Sequence, residues 1–289
     1  MKNCVLTLGY FDSLHIGHRF LIQKSREIAD ELNASVTVVT FEDGFLNLIN
    51  RKNEEVYLLN ERTPMLLNMG VNDVCVFPAT KEFLSISKET FLEHLITLKP
   101  KAIVLGSDYT FAKNAEGKAS DIKEFFEKIG TKVYIYDLIK KDNEKVSTTK
   151  IKELLKNGEI EKANFLLGGT FFYSGRVVKG RQKGKEIGIP TININIPECK
   201  IKIKNGVYRT TVTVDGETYP SITNIGKHPT FGDDNFNVET NIFDFNGNLY
   251  GKNVTVKIHE FIRGIINFKT EDELRNQIND DIQKCKRNI

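Results

Sequence analysis

The sequence predicts two domains: an α/β domain with an open, doubly wound parallel sheet, followed by a small antiparallel β-barrel. In the first half, short apolar runs rich in β-branched residues alternate five times with segments of helical periodicity. Such runs are typical of parallel strands that are buried on both faces. After Gly169 the pattern changes to short alternating runs separated by Gly, Asn and Asp turns. Runs of this second kind are typical of antiparallel barrels.

The elements of the first half follow from these runs in order. A helix is predicted between the first two strands, and two more over 88–98 and 119–130, because apolar residues recur there at helical spacing. Residues 148–169 indicate two short helices that break at Asn157-Gly158 and end at paired glycines. The predicted strands are 4–8, 35–41, 73–77, 102–106 and 132–138.

The second half contains at least five alternating runs. The segments DGET (215–218) and NGNL (246–249) between them are hairpin signals. A closing helix is predicted after these strands, because Thr270 and Glu273 have the spacing of a capping box.

Composition narrows the class of protein. At 289 residues the chain is long enough for two domains. Its formal net charge is only +3, and the sequence contains no long run of basic residues. We therefore expect neither a nucleic-acid nor a membrane partner. The four cysteines have neither zinc-ligand spacing nor the pattern of a disulfide framework. Neither a signal-peptide core nor a stretch of roughly 20 apolar residues is present, so we expect a cytoplasmic location.

The segment GYFDSLHIGH (9–18) joins the first strand to the first helix. Backbone N–H groups and the positive end of a helix dipole at such a turn favour phosphate binding. His15 and His18 share one face of the first helical turn, and Gly17 between them lets a ligand approach closely. The pair is suited to donating hydrogen bonds to a phosphate that gains charge in a transition state. The alternative is a pair of surface histidines on an amphipathic helix.

This segment resembles the G-x-F-D-G-x-H-x-G-H signature of the nucleotidyltransferases, specifically the adenylyltransferase half of prokaryotic bifunctional riboflavin kinase/FAD synthetases. VVTFED (38–43), VLGSDYTFAKNAEG (104–117) and VSTTKIKELLKNGEIEKANFLLG (146–168) resemble three further blocks of that family. The resemblance implies a Rossmann-like nucleotidyltransferase domain over residues 1–168 with His15 and His18 as its catalytic pair. The implied nucleotide-binding residues are Gly9, Phe11, Asp12, Gly17, Asp108, Ser147, Thr148 and Lys152.

Several residues depart from the family pattern. Ser13 replaces a glycine, Asp43 and Gly44 stand where Pro and His are common, Ala112 replaces a glycine, and Lys152 replaces an arginine. Lysine keeps the charge of arginine but loses its bidentate contact. The hydroxyls of the STT segment at 147–149 also fit an ordinary N-cap, which is the alternative to phosphate binding there.

SGRVVKGRQKGKEIGIPTININIP (174–197) resembles the signature of riboflavin kinases. Gly180 and Gly184 in a basic loop are suited to a backbone wrapped around ATP phosphates, and Lys183 adds charge. The resemblance implies that these three residues and Pro190 bind the nucleotide. It also implies a six-stranded riboflavin-kinase-like barrel over residues 169–289.

The PTIN segment (190–193) and Glu239 are the candidate metal-binding and catalytic residues of the second half. Thr191 and Asn193 face the same way along an extended chain, and their oxygens are ligands suited to Mg²⁺, although both types are also common at strand edges. Glu239 in VETNIFDF matches the catalytic glutamate of the family, a base for the ribityl 5′-hydroxyl. A lone strand glutamate is more often solvated. Arg263 and Phe268 match flavin-binding positions, and Phe268 fits a core position equally well.

The resemblance implies two consecutive reactions. Riboflavin and ATP would give FMN in the barrel, and FMN and ATP would give FAD and pyrophosphate in the first domain, both with Mg²⁺. Two alternatives stay open: an enzyme in which only one half is active, and a flavin-binding regulator without catalysis. The oligomeric state is not indicated by the sequence.

Overall fold

A computed structural model describes residues 3–49, 54–137, 139–141, 144–180, 189–228 and 233–287. The chain forms two compact units, Met1–Thr148 and Thr149–Ile289. The sequence-based boundary after residue 168 stays a prediction. No helix among the described residues is long and apolar enough to cross a membrane.

The first unit is built on a five-stranded parallel sheet, as predicted. Its order is β3-β2-β1-β4-β7, so the direction of winding reverses between β1 and β4. In doubly wound sheets the crevice at such a reversal, at the carboxyl ends of the strands, is where ligands bind. The strands of this unit are β1 (Cys4–Leu8), β2 (Ser35–Phe41), β3 (Asp73–Phe77), β4 (Pro100–Gly106), the short pair β5 (Thr110–Phe111) and β6 (Gly117–Lys118), β7 (Lys132–Tyr136), and the short pair β8 (Lys140–Lys141) and β9 (Glu144–Lys145).

Helices pack on this sheet through fully buried apolar residues such as Phe91, Leu95, Ile122 and Phe126. The helices predicted between the first two strands and over 88–98 and 119–130 are confirmed. Three helices were not predicted: two short ones over Phe45–Ile49 and Lys81–Leu84, and a longer one over Leu59–Asn68, whose Pro64 normally argues against a helix interior. The helices are α1 (Ile16–Glu31), α2 (Phe45–Ile49), α3 (Leu59–Asn68), α4 (Lys81–Leu84), α5 (Lys88–Thr97) and α6 (Ala119–Lys128).

The second unit contains a closed antiparallel barrel of six strands, which confirms the predicted architecture. Its strands pair in the order β10-β11-β14-β13-β12-β15. Asp215 and Gly216 both have positive φ, as the predicted hairpin turn requires. The strands are β10 (Phe172–Val178), β11 (Ile192–Asn195), β12 (Gly206–Val214), β13 (Glu217–His228), β14 (Asp233–Ile242) and β15 (Asn253–Arg263).

In the part of the second unit that the structure describes, three helices accompany the barrel: α7 (Thr148–Asn157), α8 (Ile160–Leu167) and α9 (Glu271–Arg287). The predicted break between the first two is confirmed, because Gly158 and Gly168 both take positive φ. The Asn164 side chain fixes α8 to the barrel by donating to the Ile258 carbonyl at 2.9 Å and accepting the Phe171 N–H at 2.8 Å. Thr270 accepts the Glu273 N–H at 3.2 Å, as expected at the start of α9.

Candidate functional site

A cavity of about 920 Å³ lies at the carboxyl ends of the parallel strands in the first unit. It is bordered by Gly9 after β1, Phe41 at the end of β2, Gly106 at the end of β4 and Tyr136 at the end of β7. Its volume lies in the range of about 300–1,000 Å³ that is usual for small-molecule sites. This position is the crevice that the sheet order predicts for a ligand.

His15 and His18 stand together in the wall of this cavity. His15 is the N-cap of α1, and its Nδ1 accepts the backbone N–H of His18 at 3.2 Å. The two imidazole rings stack with centroids 3.7 Å apart and planes 7° apart. Because Nδ1 of the neutral His15 ring serves as an acceptor, its proton lies on Nε2. His15 therefore offers an N–H donor whose tautomer is fixed by the helix terminus.

Both imidazoles are neutral at physiological pH. Burial lowers the pKa of His15 to about 4. Burial lowers the pKa of His18 well below its usual 6.5, and the adjacent His15 lowers it further. A buried neutral imidazole donates a hydrogen bond without carrying a full charge into the site. The pair can therefore stabilise negative charge that develops on a phosphate through directed N–H groups.

Two glycines allow this arrangement. A Cβ at Gly17 would lie 3.0 Å from Cε1 and 3.1 Å from Nδ1 of His15, so any side chain there would displace the ring. A Cβ at Gly9 would lie 2.9 Å from the ring of Phe11, which takes a positive φ of 54°. Both glycines line the cavity, so their lack of a side chain also leaves room for a ligand.

Phe11 and Asp12 are buried residues that support the loop between β1 and α1. Phe11 is buried, with its ring edge-on to His18 at a centroid distance of 5.1 Å. Asp12 is buried, and its Oδ1 accepts the backbone N–H groups of Val56 at 2.5 Å and Tyr57 at 3.4 Å. These contacts hold the segment before α3 against the loop. The predicted nucleotide contacts of Phe11 and Asp12 stay predictions.

Asp108, Ser147 and Thr148 also line the cavity. Asp108 forms an ion pair of 2.9 Å with Lys145. The Thr148 hydroxyl lies 2.8 Å from the hydroxyl of Ser13, which is fully buried. The serine that departs from the family glycine therefore contacts a predicted phosphate-binding residue directly.

Lys152 lies four residues after Thr148 on α7, within the second unit. Its predicted contact with the nucleotide stays a prediction.

In the barrel, one face of β14 contacts the PTIN segment. Asn193 on β11 stands opposite Glu239 on β14 in the antiparallel register. The Thr191 hydroxyl donates to Glu239 Oε1 at 2.6 Å. Asn237 Nδ2 donates to Asn193 Oδ1 at 2.9 Å. The structure thus brings together the predicted base and both predicted metal ligands.

Two further predicted nucleotide residues lie at this site. The Pro190 carbonyl accepts Asn241 Nδ2 at 2.7 Å, from the same face of β14 that carries Glu239. A Cβ at Gly180 would lie 2.2 Å from Asn193 Nδ2, so a side chain at position 180 would displace that amide. Lys183 and Gly184 lie outside the described residues.

Known proteins that resemble the chain match both halves. The FAD synthetase family model matches residues 1–150, and the riboflavin kinase family model matches residues 167–289. A bifunctional riboflavin kinase/FMN adenylyltransferase of Listeria monocytogenes is 32% identical, over 97% of this chain and 91% of that protein. The chain belongs to the family of bifunctional riboflavin kinase/FMN adenylyltransferases. It is therefore a two-activity transferase, and riboflavin, FMN and ATP are the substrates that the family's activities imply.

Two more comparisons agree on the extent of the match. The bifunctional riboflavin kinase/FMN adenylyltransferase of Bacillus subtilis is 31% identical over 97% of this chain and 91% of its own length. The crystal structure of a macrolide-efflux protein from Streptococcus pneumoniae superposes with a TM-score of 0.89 at 28% identity. It covers 98% of this chain and 94% of that one, so the two-unit fold is shared along the whole length.

The two positions predicted to contact flavin in this family member lie near α9. Arg263 forms an ion pair of 2.7 Å with the buried Asp281. The half-buried Phe268 ring lies 6.0 Å from the Arg263 guanidinium. Arg263 thus joins the end of β15 to α9, and the flavin contacts of both residues stay predictions.

Sequence reasoning missed the aromatic wall of the cavity in the first unit. Phe41 and Phe45 stack with ring centroids 4.1 Å apart, and Tyr10 lies 6.3 Å from Phe45. Phe91 and Phe111 form a second pair at 4.8 Å. The only signal available was the abundance of Phe, 19 in the chain, at the ends of strands and in the loops that follow them.

Proposed function

We propose that both halves of this chain are active and that His15, His18 and Glu239 are their principal catalytic groups. The observation that carries the proposal is the stacked, neutral histidine pair in the wall of the cavity, at the carboxyl ends of the strands. This pair lies in the half where five residues depart from the family pattern: Ser13, Asp43, Gly44, Ala112 and Lys152. The Ser13 departure is accommodated by a hydrogen bond to Thr148, which leaves the histidine pair undisturbed.

In the first unit a phosphate oxygen of FMN attacks the α-phosphorus of ATP. A new P–O–P bond forms, the bond between the α- and β-phosphates breaks, and pyrophosphate leaves with the electron pair. No protein nucleophile is required, so the protein acts by positioning and by stabilising charge. His15 Nε2–H donates to the developing charge, and Ser147 and Thr148 supply further hydroxyl donors in the same cavity.

In the barrel Glu239 accepts the proton of the ribityl 5′-hydroxyl as that oxygen attacks the γ-phosphorus of ATP. The bond from the γ-phosphorus to the β-γ bridging oxygen breaks, and ADP leaves with the electron pair. The Thr191 hydroxyl now occupies Glu239 Oε1 and would release it when Thr191 turns to another ligand. The donor set fits magnesium, because a hydroxyl and an amide oxygen are hard neutral ligands. Among the described residues no three His, Cys, Asp or Glu side chains could hold a metal together, so the ion would take further ligands from phosphates and water. When bound at Thr191 and Asn193, Mg²⁺ would neutralise phosphate charge.

A two-substrate assay tests this proposal. The protein is supplied with Mg-ATP and either riboflavin or FMN, and the flavins are separated by HPLC. We expect FMN and then FAD from riboflavin, and FAD with pyrophosphate from FMN. FMN that accumulates without FAD would show a silent first unit, and tight flavin binding without ATP turnover would show a regulator.

A further inference from the structure

A buried ion-pair network lies behind the cavity wall of the first unit, and none of the family motifs accounts for it. Glu55 and Arg62 are both fully buried. Arg62 Nη1 lies 3.1 Å from Glu55 Oε2 and 3.0 Å from Asp43 Oδ1. The same guanidinium donates to the carbonyl oxygens of Phe41 and Tyr57. Arg62 on α3 therefore connects the end of β2 to the segment that precedes α3.

The other side of this network reaches the cavity. Glu55 Oε1 accepts the Tyr10 hydroxyl at 2.5 Å and the Gly44 backbone N–H at 2.6 Å. The Arg62 guanidinium lies 5.0 Å from the centroid of the Tyr10 ring. Tyr10 lines the cavity together with Phe45, which follows Gly44 directly. One buried carboxylate thus holds two separate parts of the same wall.

A role in stability alone does not explain this arrangement. Removing two charges from water costs several kcal/mol per ion, and well-packed apolar residues often replace buried ion pairs without loss. What charges do provide is directional contact. The Asp43-Gly44 turn needs such contacts, because Gly44 has φ of +83° with open space around it, and Asp43 stands where the family commonly has a proline.

We propose that Glu55 and Arg62 are positioning residues of the adenylyltransferase site: they hold Tyr10 and the Asp43-Gly44 turn so that Tyr10, Phe41 and Phe45 form a fixed wall for a planar aromatic ring of a substrate. Both substrates contain such a ring, the isoalloxazine of FMN and the adenine of ATP. This inference rests on the assignment of the cavity as the adenylyltransferase site. It assigns no proton transfer to the network.

The network also makes the wall sensitive to pH. Burial raises the pKa of Glu55 to about 7. The charged and titratable groups that face it are Tyr10 and Asp12 from the first loop, Asp43 from the turn and Arg62 from α3. Protonation of Glu55 below pH 7 removes the negative partner of Arg62 and weakens its hold on Tyr10 and Gly44. A glutamine at this position mimics the protonated form at every pH.

The test compares Glu55→Gln and Tyr10→Phe with the wild type, with Glu42→Gln as the control. Glu42 lies in the same turn, is exposed, and uses its carboxylate only for the Ala79 N–H among the contacts of the described residues. Steady-state FAD synthesis is measured at pH 8 and pH 6, with KM obtained separately for FMN and for ATP. Formation of FMN from riboflavin is measured in parallel as the readout of the second unit.

At pH 8 we expect Glu55→Gln and Tyr10→Phe to raise the KM of one substrate about three- to tenfold, the ordering cost of one or two side chains, with kcat within about twofold. The substrate affected identifies the ring that the wall receives. At pH 6 the wild-type KM should approach that of Glu55→Gln. Glu42→Gln should match the wild type throughout.

Unchanged KM values for both substrates in Tyr10→Phe would overturn the proposal, even if Glu55→Gln fails to fold. The proposal would also be overturned if the KM of Glu55→Gln, divided by the KM of the wild type, had the same value at pH 8 and at pH 6. An error in the site assignment is recognised separately, because His15→Asn would then leave FAD synthesis intact.

Discussion

The neutral state of His15 has a measurable consequence for stability. We expect the substitution His15→Asn to make the first unit less sensitive to acid. Asparagine is a preferred N-cap residue, so it can still accept the His18 N–H that His15 Nδ1 accepts at 3.2 Å. It does not titrate. The variant therefore removes the imidazole while retaining the helix terminus.

The size of the effect follows from the pKa of His15. Burial lowers this pKa to about 4, compared with the usual value of 6.5 in an unfolded chain. Between pH 6.5 and 4 the unfolded state therefore binds a proton more readily than the folded state, and stability is lost as the pH falls. From pH 8 to pH 5 this single group lowers the free energy of unfolding by about 2 kcal/mol. His15 also lowers the pKa of His18, but burial is the larger cause of that shift and does not depend on the charge of His15, so the difference between wild type and variant reports mainly on His15.

Urea unfolding followed by far-UV circular dichroism at pH 8, 7, 6 and 5 measures this difference. The chain has no tryptophan, so circular dichroism is preferable to intrinsic fluorescence. We expect the wild type to lose about 2 kcal/mol more than His15→Asn between pH 8 and pH 5. Parallel pH profiles, within about 0.5 kcal/mol, would refute the reasoning, because His15 would then be charged or solvated in the folded protein.

Three more results are expected. Ser13→Ala should lower the free energy of unfolding by about 1 kcal/mol, because it removes the hydrogen bond to Thr148. A double-mutant cycle with Thr148→Val should give a coupling free energy of about the same size. Additive effects of the two substitutions would contradict the contact. Gly180→Ala should slow riboflavin phosphorylation at least about tenfold, since its Cβ would displace Asn193, while FAD formation from supplied FMN is unaffected; a normal kinase rate would be the opposite result. Asn237→Ala should raise the Mg²⁺ concentration for half-maximal kinase activity by about tenfold, because it removes the hydrogen bond that orients the Asn193 side chain. An unchanged Mg²⁺ dependence would exclude this orienting role of Asn237.

The sequence was sufficient to predict most of the architecture. All five parallel strands and the hairpin at Asp215-Gly216 were predicted, because buried parallel strands and tight turns leave strong local patterns. Helix α3 was not predicted, since Pro64 lies inside it and the tertiary contacts of Arg62 override that local preference. Local sequence patterns do not reveal contacts between residues that are far apart in the chain.

The same distinction applies to the sites. The stacking of His15 on His18 follows from helical spacing and could be anticipated. The contact between Ser13 and Thr148 joins residues 135 positions apart, so the sequence showed only that Ser13 was unusual. The participation of Asp43 and Gly44 in a network with Glu55 was equally hidden, although the departure from the family motif marked the place.

Reciprocal inactivation of the two sites tests the central claim most directly. Riboflavin, FMN and Mg-ATP are supplied to His15→Asn and to Glu239→Gln, and the flavin products are quantified by HPLC. We expect His15→Asn to form FMN at the wild-type rate and to lose FAD synthesis by about 10²–10³-fold. Glu239→Gln should do the reverse, with FAD formed normally from supplied FMN. FAD synthesis that persists in His15→Asn, or one substitution that abolishes both reactions in a folded protein, would contradict the assignment of two independent sites.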